Sequence, residues 1–169
     1  MHPPALAIVG WSGSGKTTLL ARLVPELRQR GLRVGVVKHS SHSHPLHPEG
    51  SDTERHAASG AAFVAFATPA GVQLTFPEPA EPVLSLLARF ADKVDLVLVE
   101  GWKQGPLPKL EVWREGLGPL LAAERQDVLA VVGDAPVPEG TKRFSPDAVQ
   151  DIATFIQQCL RDGSLRTTN

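Results

Sequence analysis

One stretch near the start of the chain most narrows what it can fold into. An apolar run at residues 5–9, Ala-Leu-Ala-Ile-Val, leads directly into Gly10-Trp-Ser-Gly-Ser-Gly-Lys16-Thr17, and leucines at 19, 20, 23 and 27 follow at helical spacing. The apolar run, bounded by Pro3-Pro4 and Gly10, reads as a strand buried on both faces of a parallel sheet. The pattern G-x-x-x-x-G-K-[ST] between a strand and a helix is the context in which such a loop binds phosphate. Its glycines let successive backbone N–H groups turn inward, and the helix N-terminus adds partial positive charge. The residues expected at the phosphates are Gly10, Ser12, Gly13, Ser14, Gly15, Lys16, Thr17 and Thr18. Lys16 is expected to reach the β- and γ-phosphates and the Thr17 hydroxyl to ligate Mg²⁺. The implied ligand is a nucleoside triphosphate.

The rest of the chain alternates strand-like and helix-like patterns. Residues 33–38 read as the second strand, and 95–100 and 127–132 as further buried strands, the last being the final one. Residues 109–114 alternate apolar and polar side chains, as a half-exposed strand does, and 61–68 with 72–76 read as two strands about a Pro69-Ala-Gly71 turn. The first helix should stop at Gly31 and bend at Pro25. A second is expected to start with Ser51 as N-cap and Asp52 and Glu54 in its first turn. A third follows Pro82. The last should open at Ser145-Pro146-Asp147 and bury Val149, Ile152, Ile156, Cys159 and Leu160. Residues 39–50 read as a mobile polar loop and 163–169 as a frayed tail. The whole predicts a single α/β domain over 1–169, doubly wound, with a mostly parallel sheet flanked by helices.

Length and charge remove other classes. A chain of 169 residues matches one domain on a prior of roughly 150 per domain. Seventeen Lys+Arg against eighteen Asp+Glu give a net charge of -1, which offers nucleic acid or an anionic membrane no bulk attraction. No apolar run approaches the roughly 18 residues of a spanning helix, and the first residues lack the pattern of a signal peptide. The single cysteine, Cys159, excludes an internal disulfide framework, so the expected compartment is the cytoplasm.

A Mg²⁺-bound triphosphate calls for an acid at the end of a second buried strand. Glu100 fits, following four apolar residues and preceding Gly101, whose N–H is expected to face the γ-phosphate. Asp52, opening a helix after the polar loop, is the second candidate. Asp95 begins its strand and so belongs to the wrong edge of the sheet. The plainer readings are a strand-end carboxylate for Glu100 and a helix-dipole acid for Asp52. His39, His42, His44 and His47, with His56 beyond, raise a Zn or Ni site. No Cys-x-x-Cys or His-Glu-x-x-His frame accompanies them, so weak, nonselective metal binding on a substrate- or partner-contacting loop is expected. Trp102 reads as packing or as a partner contact. Lys109 and Arg114 either hold an anionic ligand or decorate an exposed strand.

In order along the chain stand the phosphate loop, Val37-Lys38-His39, Glu49-Gly-Ser-Asp52-Thr53, Ser59-Gly60-Ala61, Glu100-Gly101-Trp102-Lys103 and Pro108-Lys109-Leu-Glu111-Val-Trp-Arg114. This series resembles the molybdopterin-guanine dinucleotide biosynthesis adaptor family, MobB, over roughly residues 5–160. The resemblance implies a GTP-binding P-loop NTPase with Mg²⁺ as cofactor and slow intrinsic GTPase activity. It would assist a MobA-like molybdopterin guanylyltransferase in joining GMP to molybdopterin, with molybdopterin itself a second candidate ligand. The family is dimeric, which implies a homodimer whose sheet extends between subunits. Carried onto this chain, Gly13, Gly15, Lys16 and Thr17 hold phosphates and Mg²⁺, Asp52 and Glu100 lie near the metal, and Asp134 contacts guanine. Lys16 and Glu100 would be the catalytic pair. Trp102, Lys109 and Arg114 are expected to present the nucleotide state to the partner. An Asn-Lys-x-Asp motif is absent, so GTP over ATP rests on the resemblance. Many relatives carry an acid where this chain has Ser40 and a lysine where it has Ser51. Two other readings stay open: a nickel or zinc metallochaperone GTPase using the histidine loop, and a small-molecule kinase.

Overall fold

In the computed structural model, which describes residues 2–76 and 82–166, the opening apolar run is a strand buried along its whole length. The chain order is β1 (Ala5–Val9), α1 (Lys16–Gln29), β2 (Val34–Lys38), α2 (Asp52–Ala58), β3 (Val64–Thr68), β4 (Gly71–Thr75) and α3 (Val83–Ala88). There follow β5 (Leu96–Glu100), β6 (Lys109–Val112), a 3-10 turn at Leu121–Ala123, β7 (Val128–Val132), β8 (Lys142–Phe144) and α4 (Val149–Asp162). Two compact units divide these elements: Met1–Ser40 with Leu84–Asn169, and Ser41–Val83.

The larger unit holds a six-stranded sheet in the order β2-β5-β1-β6-β7-β8, parallel throughout. This is the α/β architecture, a parallel sheet flanked by helices, that the alternating pattern predicts. On one face α1 packs with α4. Leu19, Leu20, Leu23 and Leu27 of α1 and Ile152, Phe155, Ile156 and Cys159 of α4 bury themselves against Leu6, Ile8, Leu98, Leu110 and Val132. Each fully buried leucine or isoleucine contributes about 1.5–3 kcal/mol, so this face dominates the stability of the unit. Helix α1 carries Pro25 inside it and ends ahead of Gly31. A smaller cluster, Ala122, Val128, Val131 and Ala135, gathers about β7 and the 3-10 turn.

The smaller unit holds α2 and the antiparallel pair β3–β4. Ser51 caps α2 as expected, its Oγ accepting from Glu54 N at 3.2 Å, while the Glu54 carboxylate accepts from Gly50 N at 2.5 Å. Reciprocal bonds of this kind satisfy donors that a helix start leaves free.

Four expectations need correction. Strand β6 is buried along its whole length, because it lies between β1 and β7; its polar residues Lys109 and Glu111 are both 0% exposed. Strand β8 adds a member beyond 127–132; Lys142 and Arg143 keep it polar, so no apolar run marks it. Helix α4 starts at Val149, with Ala148 at its N-cap and no side-chain cap. Ser145 Oγ instead accepts from Asp147 N at 3.4 Å, which spends the expected cap on a turn ahead of the helix. The segment after Gly163 is not frayed through Arg166: Leu165 is 1% exposed and its carbonyl accepts from Ala5 N at 3.0 Å. The remainder of that predicted tail, 167–169, lies outside the described residues.

Candidate nucleotide-binding site

The loop 10–15 leaves the carboxyl end of β1, in the middle of the sheet, where open parallel sheets hold their ligands. Its shape depends on Gly10, at φ 144°, where a Cβ would fall 2.2 Å from the Val112 carbonyl oxygen on the neighbouring strand. Any side chain there would force β1 and β6 apart. Gly15 is the N-cap of α1 and no side chain bonds to the first turn, so the helix N–H groups are available to an anion. Ser14 is buried in the loop and its Oγ has no hydrogen-bond partner. The donor set and the close backbone approach at Gly10 fit a polyphosphate.

Lys16 Nζ donates to the carbonyls of Gly10 at 3.1 Å and Trp11 at 2.8 Å, closing the loop on itself. Burial pulls this ammonium below the ordinary lysine value; Glu100 opposes the shift, and the ammoniums of Lys103 and Lys38 add to it. Glu100 ends β5 beside β1, its side chain 12% exposed, and its Oε1 accepts from Thr17 Oγ1 at 2.9 Å. The expected hydroxyl and carboxylate are therefore brought together. Lys38 Nζ lies 3.6 Å from that same oxygen. A cavity of about 350 Å³ is framed here by Ser12, Gly13, Lys16, Thr17, Lys38 and Glu100.

A second cavity, of about 630 Å³, shares Gly15 and Thr18 with the first and runs to Asp134, with Ser14, Arg22, Trp113 and Arg114 also in its wall. Asp134 follows β7 directly after Gly133, so the end of a sheet strand delivers it to the wall of this cavity. Arg114 lies two residues beyond the end of β6 and lines this cavity.

The remaining expected residues are not among those lining these two cavities. The Gly101 N–H does not face the phosphate cavity, because it donates to Ile8 O at 2.9 Å and extends the β1–β5 ladder. Asp52 starts α2 in the smaller unit, its carboxylate 3.8 Å from Arg55 Nη1. Lys109 cannot meet a partner or a surface anion: Nζ donates to the carbonyls of Gly105 and Leu107, each at 2.8 Å, and to Asp127 Oδ2 at 2.5 Å. Asp95 does lie at the opposite sheet edge, paired with Arg33. Trp102 holds a left-handed φ of 63° and its ring tilts against His39 at 5.7 Å. Among the described residues, no three His, Cys, Asp or Glu side chains gather to hold a metal ion. Nor, among them, is any helix long and apolar enough to cross a membrane.

Sequence reasoning missed Lys38 at the phosphate cavity and Lys103, whose Nζ sits 3.7 Å from the centre of the Trp11 ring. The Lys-His pair after the second strand was the available signal for Lys38.

A parallel α/β sheet with a phosphate loop at the end of its central strand, and a cavity beside it, defines a P-loop nucleotide-binding fold. Residues 5–134 match the family model of molybdopterin guanine dinucleotide synthesis protein B, MobB, and the chain belongs to that family. It is similar to the molybdopterin-guanine dinucleotide biosynthesis adapter protein of Haemophilus influenzae, 38% identical over 159 residues, covering 93% of this chain and 89% of the relative. The Escherichia coli protein of the same name is 35% identical over 164 residues, covering 94% of each. A crystal structure of a MobB homologue from Bacillus stearothermophilus matches with a TM-score of 0.71 at 27% identity, covering 94% of this chain and 99% of that one.

Proposed function

We propose that this chain is a GTP-binding adaptor in molybdopterin guanine dinucleotide biosynthesis, assisting the guanylyltransferase that joins GMP to molybdopterin. The observation that carries the nucleotide part is that the two cavities border the same loop and helix-start residues, Gly15 and Thr18. Phosphates would lie over the loop, the nucleoside in the larger cavity, and Asp134 at the base, where a carboxylate accepts the paired N1–H and N2–H of guanine, positions at which adenine offers only a lone pair and a C–H. The names of the curated relatives support the adaptor role. Thr17 and Glu100 would hold Mg²⁺, which when bound neutralises charge on the phosphates. Lys16 leaves the Gly10 and Trp11 carbonyls for the β- and γ-phosphates, and the helix N-terminus orients the chain of phosphates.

Among the described residues, the lining of the phosphate cavity supplies lysines, hydroxyls and one carboxylate, and neither an arginine nor a glutamine. Hydrolysis without a partner is therefore expected to be slow, on the order of 10⁻³ s⁻¹. In the smaller unit the β3–β4 hairpin leaves Phe66, Val72 and Leu74 more than half exposed, which supports burial of that pair against a second copy in a cytoplasmic homodimer.

The test is calorimetric titration with GTP and ATP in Mg²⁺, followed by capture of partners from native lysate by the GTP-loaded protein. Preferential binding of GTP and recovery of a molybdopterin guanylyltransferase are expected. Absence of triphosphate binding would overturn the nucleotide reading; recovery of a hydrogenase maturation protein would favour the metallochaperone.

A further inference from the structure

The acid at the end of β5 has two neighbours with opposite demands. Glu100 Oε1 accepts from the Thr17 hydroxyl at 2.9 Å, and the same oxygen lies 3.6 Å from Lys38 Nζ. Lys38 and Glu100 are register partners on adjacent parallel strands, so the backbone delivers both side chains to the same end of the sheet. The strand end is fixed as well: His39 N donates to Glu100 O at 2.9 Å, and the His39 ring leans on Trp102. The Lys38 side chain is 73% exposed against 12% for Glu100. The ammonium is therefore the partner free to move.

Charge around this cavity is unbalanced. Lys16 and Lys38 face one carboxylate, and Lys103 stands close enough to act on Lys16. A surplus of ammoniums over acids at a loop of backbone N–H groups suits a polyanion. The position of Lys38 along that polyanion follows from the two cavities. The nucleoside cavity leads away from Gly15 and Thr18 toward Asp134, whereas Lys38 lines the other one, with Ser12, Gly13 and Glu100. A phosphate chain running from the first cavity into the second would bring its last phosphate, not its first, to the lining that Lys38 shares.

Resting on the nucleotide reading above, we infer that Lys38 recognises the terminal phosphate of a bound triphosphate, leaving Glu100 to do so, and thereby separates triphosphate from diphosphate. A diphosphate ends before Lys38, so its ammonium stays on Glu100. A triphosphate offers it a more highly charged acceptor in place of a shared carboxylate oxygen.

The experiment compares binding of a fluorescent GDP and a fluorescent non-hydrolysable GTP analogue, both in Mg²⁺, to the full-length protein and to Lys38→Met and Lys38→Arg. Circular dichroism checks each fold, and Lys38→Gln replaces the methionine variant should it aggregate. Loss of one charge-assisted hydrogen bond should weaken the triphosphate analogue about 10- to 100-fold in Lys38→Met. GDP affinity should change by no more than about twofold, since that contact is made only by the third phosphate. Lys38→Arg should restore most of the preference. Equal weakening of both nucleotides, or none of either, would overturn the role of Lys38 while leaving nucleotide binding intact. A wild-type protein that bound neither nucleotide would overturn the underlying reading and this inference with it.

Discussion

Lys109 provides the sharpest test of how the structure differs from an alternating surface strand. It is 0% exposed, and its ammonium donates to the carbonyls of Gly105 and Leu107 and to Asp127. Burial pulls that ammonium below the ordinary lysine value, and Asp127 pulls the other way. Lys109→Met keeps most of the stem and removes the charge. Two carbonyls, on residues that are themselves buried, then lose their donor, at about 1–3 kcal/mol each. Asp127 is not stranded, because Arg125 still donates to it at 2.9 and 2.7 Å. Relief of the ammonium's desolvation offsets part of the loss. The net expectation is about 2–4 kcal/mol of destabilisation. With a urea dependence of about 2 kcal/mol/M, a loss of about 3 kcal/mol lowers the unfolding midpoint by about 1.5 M. Because Lys109 and Asp127 share one contact, the double variant with Asp127→Asn should lose less than the sum of the singles. A Lys109→Met midpoint within about 0.2 M of wild type would refute the buried network.

Lys16→Ala should abolish triphosphate binding in calorimetry with a smaller fall in the unfolding midpoint than Lys109→Met, since it loses the bonds to the Gly10 and Trp11 carbonyls beside an open cavity and not in the core. Gly10→Ala should lower stability by at least about 2 kcal/mol in thermal melts, because its Cβ would meet the Val112 carbonyl at 2.2 Å. Asp127 is held at about 2, below the ordinary 3.8, first by the hydrogen bond from Arg125 and then by that from Lys109. The unfolded chain therefore takes up this proton first. The contribution is complete above about pH 4 and is lost as pH falls toward 2, so urea midpoints should drop across that window in wild type and change less in Asp127→Asn.

The sequence is most legible where one physical demand acts alone. Strands β1 and β5 need apolar residues on both faces, and the runs at 5–9 and 96–99 say so directly. The phosphate loop was equally plain, because glycine spacing, lysine and threonine all serve one ligand. Glu100 could be placed at the end of its strand because an acid follows the apolar run without a gap. Reading failed where burial and polarity coincide. Lys109 and Glu111 alternate with Leu110 and Val112, a pattern that means solvent on one face unless loops cover it. Here loops do, and only long-range contacts could reveal them. Gly101 failed for a related reason: its N–H has two plausible acceptors, and the sheet ladder to Ile8 wins. Leu165 looked like tail because a single apolar residue past a helix-ending glycine carries no periodicity.

The two buried charges of β6 explain how this sheet presents its site. Lys109 and Glu111, two residues apart, share one side of the strand. Lys109 grips the carbonyls of Gly105 and Leu107, and Gly105 N donates to Trp102 O at 3.0 Å, which fixes the segment just after Glu100. Glu111 accepts from the backbone N–H groups of Leu121 and Ala122 at 2.8 and 2.9 Å. Burial pushes this carboxyl up, and those two N–H groups oppose the shift. Upstream of that grip, Pro119 O accepts from Trp11 Nε1 at 2.8 Å, and Gly118 lies so close that a Cβ would fall 2.6 Å from the Trp11 ring. Trp11 belongs to the phosphate loop. One buried strand therefore anchors both the segment that follows Glu100 and the loop that braces Trp11. Apolar residues at 109 and 111 would pack the strand as well, but they would leave four backbone polar groups, the Gly105 and Leu107 carbonyls and the Leu121 and Ala122 N–H groups, without mates. That requirement, and not surface exposure, accounts for a lysine and a glutamate in the middle of a sheet.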